Sequence, residues 1–296
     1  MKLYKTLSVS VFSIALLFLS LSMSGDKPAY RFFTPTAKAT DYGDLLKDAL
    51  KADIVLFGEM HNSPLCHWLE LELVRDLYNE KKELLVIGSE VFEADNQLLI
   101  NEYLRGTIKT RSFEEEVKLW KNYKTDYKPI LEFAKSKKLP FIATNVPRRY
   151  ASLVFSKGFT ALDTLAPQAK SYIAPLPFPY VDTLKNYKSM THEKESIPPG
   201  YDSTNYPKAQ AIKDATMAHF ILKNWSKGKV FFHFNGTYHS EDYEGIVWYL
   251  KQANPSLKIV TISSCEQESL EALNDDMKGK ADYILVVPER MTKTYP

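Results

Sequence analysis

Six short runs of β-branched and apolar residues punctuate the chain, at 54–57, 84–87, 141–144, 230–234, 259–262 and 283–287, and polar residues follow most of them at once. Longer stretches with helical periodicity lie between. Strands that are apolar throughout and separated by helices predict an α/β fold, a mainly parallel sheet flanked by helices on both faces. Residues 26–40 read as an irregular lead-in. Two stretches interrupt the alternation. Residues 95–135 read as helices with no strand between them and predict a smaller inserted helical subdomain. Residues 167–207 hold seven of the sixteen prolines together with Tyr172, Tyr180, Tyr187, Tyr201 and Tyr206. A connection of that length predicts a lid or binding loop, or a surface excursion packed by its own aromatics.

The first residues carry an address. Lys2 and Lys5 precede an uncharged apolar run from Leu7 to Leu21, and Ser20, Ser22, Ser24 and Gly25 offer a cleavage site. A run of about 15 residues is short for a membrane span of about 20, which favours a cleaved signal over an anchor. The expectation is a signal peptide over 1–24, one α/β domain over 25–296, and export to the periplasm or outer membrane. No cysteine near that run offers a lipid attachment point.

Composition narrows the function classes. Without Lys2 and Lys5 the 38 Lys and Arg fall to match the 36 Asp and Glu. That balance, with no basic stripe, gives no electrostatic case for nucleic acid. Cys66 and Cys265 stand far apart and read as two thiols rather than a disulfide framework. No Gly-rich phosphate loop, Gly-x-Ser-x-Gly elbow, His-Glu-x-x-His helix or Cys-x-x-Cys pair is present.

Ligands of parallel sheets gather beyond the carboxyl ends of the strands, where this chain places its ionisable residues. Gly58-Glu59-Met60-His61 follows the first run directly, and Glu59 and His61, two apart in extended chain, point to one side. Asn62-Ser63-Pro64 then starts a helix, with Pro64 suited to its first turn and His67 one turn in. A Glu with two imidazoles offers either metal ligands or a general base. Glu90 and Asn145 follow the second and third runs. Gln210, Asp214 and Met217 recur at helical spacing and form either a site-lining face or a solvated one. Phe234-Asn235-Gly236-Thr237-Tyr238-His239 leaves the fourth run through a glycine turn and brings His239 to the same edge. His233, inside that run, reads as a packed core histidine, and His219 has no evident partner; His192 sits in the proline-rich loop.

Three of these segments in this order, Gly58-Glu59-Met60-His61 through His67, Ala209-Gln210 through Asp214 to Met217-Ala218, and Asn235-Gly236 to His239, resemble the ChaN-like family, the haem-binding-uptake branch of the Tiki superfamily. The similarity runs from about residue 40 to 290. The resemblance implies haem binding in an iron-uptake setting, with haem at a homodimer contact, tyrosine as its axial ligand, and an outer-membrane haem receptor as partner. The wider superfamily includes metal-dependent proteases and erythromycin-esterase-like enzymes that use the Glu and His motifs catalytically. Cys66 stands where a histidine is often found in that family and Glu70 where a glutamine is common, and no local motif marks the haem-ligating tyrosine among 18.

Two functions follow as expectations. One is an exported haem-binding protein. The other is a hydrolase with Glu59, His61 and His239 as catalytic groups, His67, Glu90, Asn145, Gln210, Asp214 and Met217 lining the site, and a divalent metal ion on Glu59, His61, His67 and His239.

Overall fold

The structure is a computed structural model describing residues 27–190 and 202–295. The expected signal segment, His192 and Tyr201 lie outside the described residues.

Eight strands form one sheet. β1 (Arg31–Phe33) and β2 (Ala39–Thr40) precede α1 (Tyr42–Ala49), and β3 (Ile54–Glu59) leads into α2 (Pro64–Lys81). β4 (Leu85–Glu93) is followed by α3 (Gln97–Leu104), α4 (Thr110–Glu116), a π-turn over Tyr123–Tyr127 and α5 (Lys128–Lys137). Then come β5 (Phe141–Asn145), α6 (Arg148–Lys157), α7 (Pro167–Lys170), α8 (Lys185–Met190), α9 (Asn205–Asn224), β6 (Val230–Gly236), α10 (Ile246–Ala253), β7 (Ile259–Gln267) and β8 (Tyr283–Pro288). The strand order is β2-β1-β8-β7-β3-β6-β4-β5. β3 to β8 run parallel; β1 pairs antiparallel with β8 and β2 antiparallel with β1. The lead-in is therefore partly sheet: it supplies the edge strand β2 and its neighbour β1, both too short to carry an apolar run.

The strand alternation decides which layer each residue joins. Val55 and Phe57 of β3, with Val230, Phe232 and Phe234 of β6, face α2 and the α3–α5 segment. Ile54 and Leu56, with Phe231, face α9 and α10. The α3–α5 segment does not hold a core apart: Tyr103, Phe113, Tyr123, Tyr127 and Ile130 are buried in the same layer as β4, β5 and β6. Within 167–190 the aromatics pack mostly on residues outside the stretch: Phe178 and Tyr180 stand 5.0 and 5.3 Å from Phe159, ring to ring, and Phe178 stands 6.3 Å from Tyr249. Cys66 and Cys265 are both free thiols. Among the described residues no helix is long and apolar enough to cross a membrane.

Candidate functional site

The central strands β3, β4 and β6 end together, and the side chains beyond their carboxyl ends meet there. Gly58 lies opposite Asn235 and Glu59 opposite Gly236 in the β3–β6 ladder. Gly-x-x-His recurs at the two ends, as Gly58-Glu59-Met60-His61 and Gly236-Thr237-Tyr238-His239. Both glycines are forced by close approach. A Cβ on Gly58 would stand 2.7 Å from the carbonyl of Ile262, and one on Gly236 would stand 2.8 Å from His61 Nε2. Glu90 reaches the same point because the β4–β5 register shifts between Ser89 and Glu93, an irregularity that re-aims the side chains of β4.

One half of the mouth is built around His239, which is buried. Its Nδ1 donates to Asp214 Oδ1 at 2.6 Å and its Nε2 faces Glu90 Oε1 at 3.3 Å. The outer oxygens of both acids are also held. Gly236 N–H donates to Glu90 Oε2 at 2.7 Å, and Tyr187 OH donates to Asp214 Oδ2 at 2.6 Å. Burial disfavours an imidazolium here, but the charges of Glu90 and Asp214 and their hydrogen bonds outweigh it, and the pKa of His239 rises to about 10. Burial likewise opposes ionisation of Glu90, yet the neighbouring imidazolium holds its pKa well below the usual carboxylate range. His239 is thus a buried cation at neutral pH, with both ring nitrogens committed to carboxylates. It can stabilise negative charge or give up a proton, but it has no lone pair for a metal or for general-base work.

The other half is built around Glu59, His67 and Glu70, all buried. Glu59 Oε1 accepts from His61 Nδ1 at 2.7 Å and from Tyr127 OH at 2.6 Å. His67 Nε2 lies 3.1 Å from the carbonyl of His61 and 3.5 Å from Asp126 Oδ2. Its Nδ1 lies 3.2 Å from Glu70 Oε2 and 3.6 Å from Glu59 Oε2. Asn122 ties the same carbonyl and Asp126 together, donating at 2.7 and 2.6 Å. Burial pushes the Glu70 carboxyl well above its ordinary pKa, reinforced by the charge of Glu59. Glu59 itself is desolvated too, but His67 and His61 hold its pKa down to about 2.

His61 joins the halves. Its Nδ1 is on Glu59, its Nε2 edge lies over Gly236, and its side chain is 34% exposed. Burial works against its charged form, but the hydrogen bond to Glu59 and the charges of Glu90 and Glu59 raise its pKa. Trp120 stands edge-on to its ring at 4.7 Å. Two adjoining clefts, of about 370 and 340 Å³, share Glu93, Trp120 and Arg148. The first is also lined by Lys118, Lys121 and Tyr295, the second by Glu90, Asn145, Phe155, Tyr206, Gln210 and Lys213.

The expected residues therefore fall into distinct places. Glu59, His61, Glu90 and His239 meet at the mouth, with Asp214 behind His239 and His67 behind Glu59. Asn145 donates to the Glu90 carbonyl at 3.0 Å, and Asn145 and Gln210 line the cleft. Met217 is fully buried in the apolar layer against the sheet. His233 lies in the core beside Thr144 at 2.7 Å, and burial lowers its pKa to about 4, so it is neutral. Of the four residues expected to share a metal, Glu59 and His67 bring ligand atoms together with Glu70, while His61 and His239 are not part of that group. Sequence reasoning gave no role to Asp126, Asn122 or Tyr127, all from the α4–α5 region, nor to the contact of Tyr187 with Asp214. The repeated Gly-x-x-His was the available signal that the ends of β3 and β6 form one unit.

A model of the family described as haem-binding uptake, Tiki superfamily, ChaN, matches residues 45–250. The chain belongs to that family. Among solved structures, ChaN of Campylobacter jejuni, described with cofacial haem binding, is 18% identical, with a TM-score of 0.64 over 87% of this chain and 96% of that one. A mutant of the erythromycin esterase EreC in its open conformation is 11% identical, with a TM-score of 0.50 over 87% of this chain and 97% of that one. At these identities the likeness is one of fold. No curated protein matches the sequence.

Proposed function

We propose that this protein is an exported haem-binding protein serving haem or iron uptake, with haem as cargo in the cleft beside His61. The observation that carries the reading is the family match over residues 45–250, joined to a cleft whose lining suits a flat dianionic macrocycle. Trp120 and Phe155 supply aromatic surface, and Arg148 and Lys213 supply cations for two propionates. Axial donors of the types that hold haem iron are at hand in Tyr206 and Tyr295 of the lining and in His61, which stands against the lining residue Trp120. Export rests on the basic and apolar opening of the sequence. Pairing of two copies and delivery from an outer-membrane receptor are part of the same proposal, supported by the family's uptake role.

Haemin titration followed at the Soret band tests it. The expected result is a saturable shift, weakened about tenfold by Arg148→Ala with Lys213→Ala, as the loss of ~1.4 kcal/mol of charge-assisted contact requires. An unsaturable rise, unchanged in the double variant, would overturn the assignment.

One observation favours a second reading. The Glu59–His61 dyad is oriented like a general-base pair, with His61 part-exposed against the cleft residue Trp120 and the His239 imidazolium near it to stabilise developing negative charge. A hydrolase of this kind would lose its activity on His61→Asn while haemin binding persisted.

A further inference from the structure

Behind the mouth, three acceptor-bearing side chains converge with too few protons between them. Glu59, His67 and Glu70 each offer one ligand atom, and these atoms lie within 4.8 Å of one another. Among the described residues Glu59 Oε2 and Glu70 Oε1 are buried and take no hydrogen bond from any other group, so the one proton of Glu70 is all that lies between the two acids. Buried carboxylate oxygens left in that condition are costly. The outer contacts of the cluster are arranged as for a metal centre. His67 Nε2 faces two acceptors, the His61 carbonyl at 3.1 Å and Asp126 Oδ2 at 3.5 Å, so that nitrogen carries a hydrogen. Nδ1 is thereby left to point at Glu70 and Glu59. An imidazole anchored through its far N–H on a carbonyl and a carboxylate is the arrangement that orients a metal-binding histidine. Glu59 is fixed in the same way, its other oxygen held by His61 and Tyr127.

The spacing suits a small ion. With metal–nitrogen and metal–oxygen distances of about 2.0–2.2 Å, ligand atoms of a tetrahedral zinc site stand roughly 3.3–3.6 Å apart. Nδ1 lies 3.2 Å from Glu70 Oε2 and 3.6 Å from Glu59 Oε2. We infer that Glu59, His67 and Glu70 bind a divalent transition-metal ion, of the zinc or cobalt type, in a closed site beneath the cleft. This site is separate from the His61–Glu90–His239 row and independent of whether the cleft carries haem. The ion would also fix Glu59, and through it the orientation of His61.

The test is titration of chelator-treated full chain with Zn²⁺ by calorimetry and with Co²⁺ by its visible absorption. One equivalent is expected to bind, with affinity lowered about a hundredfold or more in Glu70→Gln, which keeps the shape of the side chain and removes its charge. His219→Gln, on α9 at a separate cavity with Pro175 and Leu222, should bind as wild type does. X-ray absorption of the zinc-loaded wild type should show one imidazole with oxygen ligands, a measurement that needs no variant to fold. Absence of saturable binding, binding indifferent to Glu70→Gln, or a shell with two imidazoles would each overturn the proposal.

Discussion

Two buried histidines lie on either side of His61, and their surroundings differ in one respect. His239 has a carboxylate on each ring nitrogen, and the second oxygen of each acid takes a donor, from Gly236 N–H or from Tyr187 OH. His67 also has carboxylates on both sides, but Glu59 Oε2 and Glu70 Oε1 take no hydrogen bond from any group beyond the two acids themselves. The first network is complete with the protein's own hydrogens. The second leaves two acids to share a single proton. Burial is similar in the two, so the contrast shows that donor count, rather than depth, separates a self-sufficient polar network from one prepared for a guest.

The largest expected effect comes from breaking the complete half. His239→Ala leaves Glu90 and Asp214 buried without their shared cation and should cost about 3–5 kcal/mol in urea unfolding. Because the folded pKa of His239 is raised above its ordinary 6.5 to about 10, its contribution is fully present below 6.5 and is lost as pH climbs from there to about 10. The wild-type melting temperature should fall across that window, and the fall should be absent in His239→Ala. The depressed Glu90 acts on the opposite limb, its contribution fading as pH drops below the ordinary carboxylate range.

A smaller effect is expected at the junction. Gly236→Ala sets a methyl group against the His61 ring, 2.8 Å from Nε2, and should cost about 1–3 kcal/mol as His61 is displaced. An imidazole NMR signal that moves for His61 and holds for His67 would sharpen the division between the halves. Smallest is Glu70→Gln in metal-free protein. The acid is already protonated by burial and the charge of Glu59, so its amide should change unfolding free energy by less than about 1 kcal/mol. A loss of the size expected for His239→Ala would show that the two halves are not different after all.

The sheet was legible because its six parallel strands are apolar on both faces and each ends on polar residues. β1 and β2 were not, since three and two residues at a sheet edge generate no periodicity. Glu59, His61, Glu90 and His239 could be placed from strand ends alone. The remainder of the site comes from contacts that only the packed chain makes: Asp126 and Tyr127 arrive from the α4–α5 region, and Tyr187 from beyond the proline-rich stretch. Helix spacing grouped Gln210, Asp214 and Met217 as one stripe of α9, and the structure gives the three different surroundings. The stripe passes from the cleft at Gln210, through His239's partner Asp214, into the apolar layer at Met217.

The last described residues cross this same mouth. Thr294 N–H donates to the Asn62 carbonyl at 3.0 Å, Asn62 Nδ2 donates to the Tyr295 carbonyl at 3.3 Å, and Lys293 pairs with Glu266. The turn after Glu59–His61 is thus closed by chain more than 230 positions downstream. During synthesis the strands and helices can begin to associate early, but this rim is assembled only when residues 293–295 arrive. Late folding intermediates should accordingly combine a formed sheet with an open ligand edge.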